Sequence, residues 1–307
     1  MSAKPYRPNL FIVGAMKSGT TSLHYYLDAH PDIFMSQEKE PGFFVREFWR
    51  DKPEATYLSL FQAGAGRRYR GESSTHYAKL PTYPGVPARI RAYSPDAKLI
   101  YIMRHPVERT ISHYWHAVRD VHLSRENRSV VHAIRADNAY TAYSDYAMQL
   151  QAYLEVFPRS ALYCLTLEAL LADPHRELAR IFGWLGLPAI ALQEMMAHNP
   201  TPEAAQRVAG FGILNHIRYA SWWAPFSRCI PKRLRQRASA MAYTDVVPKL
   251  TAEERNAIAN LLYADYDFAG KIAALTRLLG REFPEWSAGS APEAGPTCQL
   301  NYVQNPT

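Results

Sequence analysis

Leu10-Phe11-Ile12-Val13-Gly14-Ala15-Met16-Lys17-Ser18-Gly19-Thr20-Thr21-Ser22 is the stretch on which the reading of this chain turns. Four apolar residues in a row predict a buried strand. Gly14 opens a turn, Gly19 closes it, and Ser22-Leu23-His24-Tyr25-Tyr26-Leu27 predicts the helix that follows. A strand, a glycine-bounded loop and a helix N-terminus make an anion site, because unpaired backbone N–H groups and the positive end of the helix dipole converge there. The Gly14-x-x-x-x-Gly19 spacing is shared with nucleotide P-loops, in which the residue after the second glycine is lysine. Here that residue is Thr20, and the lysine sits inside the loop at Lys17. The loop reads as a cradle for a phosphate-like group whose cation is presented from a different place. Taken alone, an ordinary glycine turn between strand and helix stays open.

A second anion signal lies further on. Lys98-Leu99-Ile100-Tyr101-Ile102-Met103 is a nearly continuous apolar run of the kind expected for a central parallel strand, and it ends in Arg104-His105-Pro106. A P-loop kinase or hydrolase usually holds magnesium with an Asp on such a strand. A guanidinium at the strand's carboxyl end, beside a helix begun by Pro106, suits a phosphate monoester instead. The helix predicted from Val107 onward places Ser112 two turns on. Helix capping and surface charge are the plainer explanation of these residues; two such motifs in order, each after a predicted strand, argue against it.

Between the two lies Ser36-Gln37-Glu38-Lys39-Glu40-Pro41-Gly42-Phe43-Phe44. Pro41 and Gly42 force a turn directly after Glu40. A carboxylate held before a rigid turn and flanked by a lysine is placed to act as a general base. Composition alone favours a solvated charge cluster. Residues 68–72 predict a strand leading into Ser73-Ser74-Thr75-His76-Tyr77, in which His76 is a second candidate base, ranked below Glu40.

These motifs resemble those of sulfotransferases that use 3′-phosphoadenosine 5′-phosphosulfate (PAPS), in particular the bacterial and heparan-sulfate-type enzymes. Residues 14–22 look like the 5′-phosphosulfate loop, and Arg104-x-Pro-x-x-Arg109-x-x-Ser112-x-Tyr114 looks like the 3′-phosphate motif. Lys39-Glu40-Pro41-x-Phe43-Phe44 looks like the segment that carries the catalytic glutamate. The resemblance implies sulfuryl transfer from PAPS to a hydroxyl or amine of a carbohydrate, lipid or small metabolite, with adenosine 3′,5′-bisphosphate (PAP) as product and no metal required. It implies Glu40 as base and Lys17 as the cation at the leaving phosphate. It assigns Ala15, Lys17, Ser18, Gly19, Thr20, Thr21 and Ser22 to the 5′ end of the donor, and Arg104 and Ser112 to the 3′-phosphate. The chain departs from the pattern at Gly42, where members often have His, and at Ser73, where some have Lys. Relatives close over PAPS with a basic residue from the C-terminal part, for which Arg207 and Arg218 are candidates. A P-loop kinase or hydrolase, and a catalytically silent nucleotide binder, are the competing readings.

The fold expected is one α/β domain over 1–286, P-loop-like and three-layered, with a central mostly parallel sheet flanked by helices and the ligand outside the strand carboxyl ends. Residues 287–307, rich in Ser, Ala, Gly and Pro, read as a flexible tail. The chain has 307 residues and a formal net charge of +7, which fits an anionic ligand or acceptor without singling out nucleic acid, and no nucleic-acid partner is expected. Cys164, Cys229 and Cys298 form neither a zinc spacing nor a disulfide framework. No apolar run is long enough for an integral membrane segment. A cytoplasmic enzyme is expected on these grounds. The polar residues 119–138 read as a flexible acceptor-side segment. The aromatic and basic residues 219–237 read as an amphipathic helix on the domain or, less simply, an acceptor lid.

Overall fold

The computed structural model describes residues 6–119, 126, 128–190 and 250–286. Five parallel strands form one sheet: β1 (Leu10–Gly14), β2 (Ile33–Met35), β3 (Tyr69–Ser73), β4 (Lys98–Met103) and β5 (Leu162–Thr166), in the order β2-β3-β1-β4-β5. Phe11 pairs with Glu72 on one side and with Leu99 on the other, so β1 is central. After β1 the chain goes first to one side of the sheet and then to the other. The carboxyl end of β1 is therefore the topological switch point, where open α/β sheets bind ligands.

Alternation along β1 and β4 divides the core. Phe11, Val13, Leu99, Tyr101 and Met103 face one layer, with Ile90 of α3 (Val86–Tyr93), Leu150 and Tyr153 of α7 (Tyr146–Leu154), and Leu275 of the C-terminal helix Phe268–Leu279. Leu10, Ile12, Ile100 and Ile102 face the other, with Leu23 and Leu27 of α1 (Thr20–Asp28), Leu170 of α8 (Leu167–Ala172) and Ile181, Phe182 and Leu185 of α9 (Pro174–Leu185). The sheet is buried on both faces, which is why its strands read as unbroken apolar runs. The short helix α2 (Glu54–Ser59) brings Tyr57 into the first layer.

A third cluster joins Val107, Ile111 and Tyr114 of α4 (Pro106–Arg119) to Ala133 and Ile134 of α5 (Val130–Ala136) and Tyr140 of α6 (Ala139–Ala142). Ile258 and Leu262 of α10 (Ala252–Asp265) complete it, and α11 (Phe268–Leu279) follows. The expectation of a flexible segment at 119–138 is corrected for residues 130–136. Their apolar positions have helical spacing and bury Ala133 and Ile134 fully. Thr251 and Glu254 form a reciprocal capping box at the start of α10, as Thr251-x-x-Glu254 predicts. The readings made for 219–237, Arg207, Arg218 and 287–307 lie outside the described residues.

Candidate active site

The loop between β1 and α1 is held at both ends. The Ala15 amide donates to the Ile102 carbonyl of β4 at 2.7 Å, and the Ser18 amide donates to the Ala15 carbonyl at 3.2 Å. Gly19, at φ 86°, begins α1 with no side-chain cap and no acidic residue in its first turn. No side chain therefore caps the first turn of α1, and the helix dipole favours an anion there. A Cβ on Gly19 would lie 2.6 Å from Leu167 Cδ1, so glycine is needed for space as well as for its left-handed backbone. Lys17 is also left-handed, at φ 67°.

A cavity of about 720 Å³ opens at this switch point, and its wall includes Lys17, Gly19, Thr20 and Thr21 from the loop. The same wall includes Glu40, His76, Arg104 and Ser112. The structure therefore brings the two anion motifs and both candidate bases to one cavity. Ala15 and Ser18 are buried in the body of the loop, with their amides engaged internally, and neither they nor Ser22 contribute to the wall. Their part is to shape the loop, while Ser22 belongs to the first turn of α1. Lys39 donates to Thr21 Oγ1 at 2.6 Å.

Glu40 sits at φ 57°, with its amide donating to the Ser73 carbonyl at 2.9 Å. Its Oε2 accepts from the Thr75 amide at 2.8 Å, from Thr75 Oγ1 at 3.2 Å and pairs with His76 Nδ1 at 3.1 Å. Burial works to raise the Glu40 pKa, yet His76, the Thr75 amide and Lys39 together hold it below its ordinary value. Glu40 is thus an ionised carboxylate at neutral pH with one oxygen tied down.

The turn that carries Glu40 is anchored through a second, buried carboxylate. Glu72 accepts hydroxyl hydrogen bonds from Tyr57 at 2.6 Å, Tyr77 at 2.7 Å and Ser74 at 2.6 Å. Ser74 Oγ in turn accepts from the Gly42 amide at 3.0 Å. Burial pushes the Glu72 pKa up to about 7 against the pull of these three hydroxyls. Ser73, where a lysine stands in some relatives, is buried and bonded to His24 Nδ1 at 2.7 Å.

On the β4 side, Arg104 is fixed through its backbone, whose carbonyl accepts from Tyr146 Oη at 2.7 Å. Its guanidinium pairs with Glu108 at 3.4 Å, and Glu108 also pairs with Arg255 at the start of α10. Arg109, the middle member of the second motif, is fully buried away from the cavity wall and holds α4 in place through Ser144 Oγ at 2.5 Å and the Tyr140 carbonyl. The cavity also has lining residues that the sequence does not mark: Lys79, His113, His116, Asp137 and Tyr143. A basic residue soon after His76, and histidines on the helix that bears Ser112, are the only signals they leave.

Fold and site together define an α/β protein whose glycine-bounded loop at the switch point shares a cavity with Arg104, Ser112 and the Glu40 carboxylate. The sequence profile of the Sulfotransferase family matches residues 8–191, and the chain belongs to that family. It is 33% identical over 202 residues to human heparan sulfate glucosamine 3-O-sulfotransferase 6, covering 63% of this chain and 56% of that one. It is 34% identical over 206 residues to mouse heparan sulfate glucosamine 3-O-sulfotransferase 3B1, covering 63% of this chain and 50% of that one. The chain spans about half the length of these curated relatives. Among solved structures it resembles a sulfotransferase from Alicyclobacillus acidocaldarius, with a TM-score of 0.62 and 26% identity over 91% of this chain and 98% of that one. Among the described residues no helix is long and apolar enough to cross a membrane.

Proposed function

We propose that this protein transfers the sulfuryl group of PAPS to a hydroxyl, or an amine, of a carbohydrate, lipid or small-metabolite acceptor. The observation that carries the reading is the shared cavity: Lys17 and the loop, Glu40 and His76, and Arg104 and Ser112 all line it. A donor with a phosphosulfate at its 5′ end and a phosphate at its 3′ end needs two separated anion grips, and the loop with Lys17 and the Arg104–Ser112 pair supply the candidates for them. The S–O bond to the 5′-phosphate breaks as a new S–O bond to a hydroxyl acceptor, or an S–N bond to an amine, forms. The acceptor proton passes to Glu40, and PAP departs with the negative charge. Lys17 offsets the charge growing on the leaving phosphate oxygen, and the amides opening α1 hold the phosphate. Arg104 and Ser112 hold the 3′-phosphate and so distinguish PAPS from ATP. His76, through Nδ1, holds Glu40 in its charged form and fixes the carboxylate toward the cavity.

The heparan sulfate relatives put saccharide hydroxyls first among the acceptors to test. The measurement is transfer of labelled sulfuryl from PAPS to a panel that includes heparan-type oligosaccharides, lipid hydroxyls and phenolic or aliphatic alcohols. Lys17→Ala and Glu40→Gln each lower turnover roughly a hundredfold or more, the scale for losing an electrostatic or acid–base group. Wild-type turnover in purified, folded Glu40→Gln assigns the base elsewhere, and His76 is then the next residue to replace.

A further inference from the structure

One corner of the cavity is not used by this scheme. Lys79 caps the 3₁₀ turn Thr75–Ala78 and is 9% exposed, yet it lines the cavity. Its ammonium lies 5.8 Å from the ring centre of Tyr143, and among the described residues it forms no ion pair. Glu40 is the nearby carboxylate, and its bonded oxygen is taken by Thr75 and His76. A cation removed from water without a carboxylate bond is costly unless a ligand completes its shell.

His113 lines the same corner and stacks on Tyr143, with ring centres 5.6 Å apart and planes 19° apart. Its Nδ1 lies 3.4 Å from Arg109 Nη1. A guanidinium has only donors, so Nδ1 must accept. The imidazole proton is therefore on Nε2. Burial first, and then Arg109 and Lys79, push the His113 pKa well down, so the ring stays neutral. This histidine offers a fixed N–H donor and is no base. Burial likewise lowers Lys79 to about 8, with Glu40 opposing and Arg109 adding to the fall. The fully buried Arg109 keeps the corner electropositive. Asp137, from the end of α5, also reaches the cavity wall and its Oδ1 accepts from the Ala139 amide at 2.9 Å.

We propose that Lys79 and His113 form an oxyanion subsite that holds the non-bridging oxygens of the sulfuryl group in transit between donor and acceptor. The placement supports this. Lys79 acts through space on Glu40, the proposed base, while His113 lies within the field of both Lys79 and Lys17, the cation at the leaving phosphate. The pair therefore shares one cavity wall with the proposed base and with the cation at the leaving phosphate, the two groups between which the sulfuryl group must pass. The inference rests on the PAPS reading, and the two are separated by comparing PAPS with PAP, which differ only in the sulfuryl group.

Binding of each nucleotide is measured by calorimetry, without acceptor, for wild type, Lys79→Met, Lys79→Arg and His113→Phe. Lys79→Met and His113→Phe each weaken PAPS roughly tenfold or more, the scale of a charge-assisted hydrogen bond, and leave PAP within about twofold. Lys79→Arg keeps most of the PAPS affinity. A wild type that binds neither nucleotide overturns the donor reading, and the subsite with it. A wild type that binds both, with Lys79→Met losing PAPS and PAP equally or losing neither, overturns the subsite and leaves the donor reading intact. Thermal unfolding checks that each variant is folded. Should His113→Phe fail to fold, the Lys79→Met and Lys79→Arg pair decides by itself.

Discussion

Glu40 shows how far one side chain's role depends on its immediate partners. Flanked by Glu38 and Lys39, it reads in sequence as part of a solvated cluster, and only Pro41-Gly42 hints at a fixed turn. In the structure its charge is held against burial by His76, which pairs with Oε2 at 3.1 Å, with help from the Thr75 amide and Lys39. Because His76 lowers the Glu40 pKa, its removal raises it. In His76→Ala the acid limb of kcat against pH therefore moves to higher pH, while the rate on the plateau, where Glu40 is ionised in both proteins, changes far less. A uniform loss of rate with an unmoved acid limb assigns His76 to proton transfer itself. Lys79 and His113 escaped the sequence reading for a physical reason. A lysine one turn past a strand reads as surface, and nothing local reports that Tyr143, 64 positions on, covers it. His113 acquires its tautomer only from Arg109, one helical turn before it on α4.

Elements behave differently. β1, β4 and α1 were legible because a doubly covered parallel strand is an apolar run, and because glycine at a positive φ marks where the loop must turn. The order of the strands was not, since pairing between β1 and β3 joins residues 61 positions apart, as in Leu10 with Gly71. The segment that joins β3 to the 3₁₀ turn has a hidden centre in Glu72, which sequence presents only as a strand residue. Three hydroxyls from Tyr57, Ser74 and Tyr77 converge on it, tying α2, β3 and the Glu40 turn together. Its folded pKa of about 7 stands above the model-peptide value of 4.5, so the folded chain holds this proton more tightly than the unfolded chain. Stability from this group is full below the unfolded value and is lost as pH rises through about 7. The loss is on the order of 3 kcal/mol. Urea unfolding at pH 5 and pH 8 measures it. Glu72→Gln, which cannot ionise, flattens the decline between the two; an equal decline in the variant assigns it to other groups.

The whole molecule places its chemistry by strand order. Everything before β4 — the loop after β1, Glu40 after β2, His76 and Lys79 after β3 — lies on the β1/β3 side of the sheet. Arg104 and Ser112 come from the other side, at the end of β4 and on α4. A ligand that touches both grips bridges two halves of the sheet that separate when the chain unfolds. Such a ligand stabilises by mass action, by about 2.7 kcal/mol at a hundred times its dissociation constant. PAP, with a phosphate for each grip, therefore raises the midpoint of thermal unfolding by a few degrees, and AMP at the same concentration raises it much less. Arg104→Ala removes the excess of PAP over AMP while leaving the smaller AMP shift in place, because the loop grip is untouched. Differential scanning fluorimetry of the two proteins with the two nucleotides decides the point. If PAP and AMP shift the wild type equally, the second grip holds no phosphate and Arg104 serves only its pair with Glu108. If Arg104→Ala lowers both shifts together, Arg104 acts on the loop side of the cavity rather than on a separate 3′ pocket.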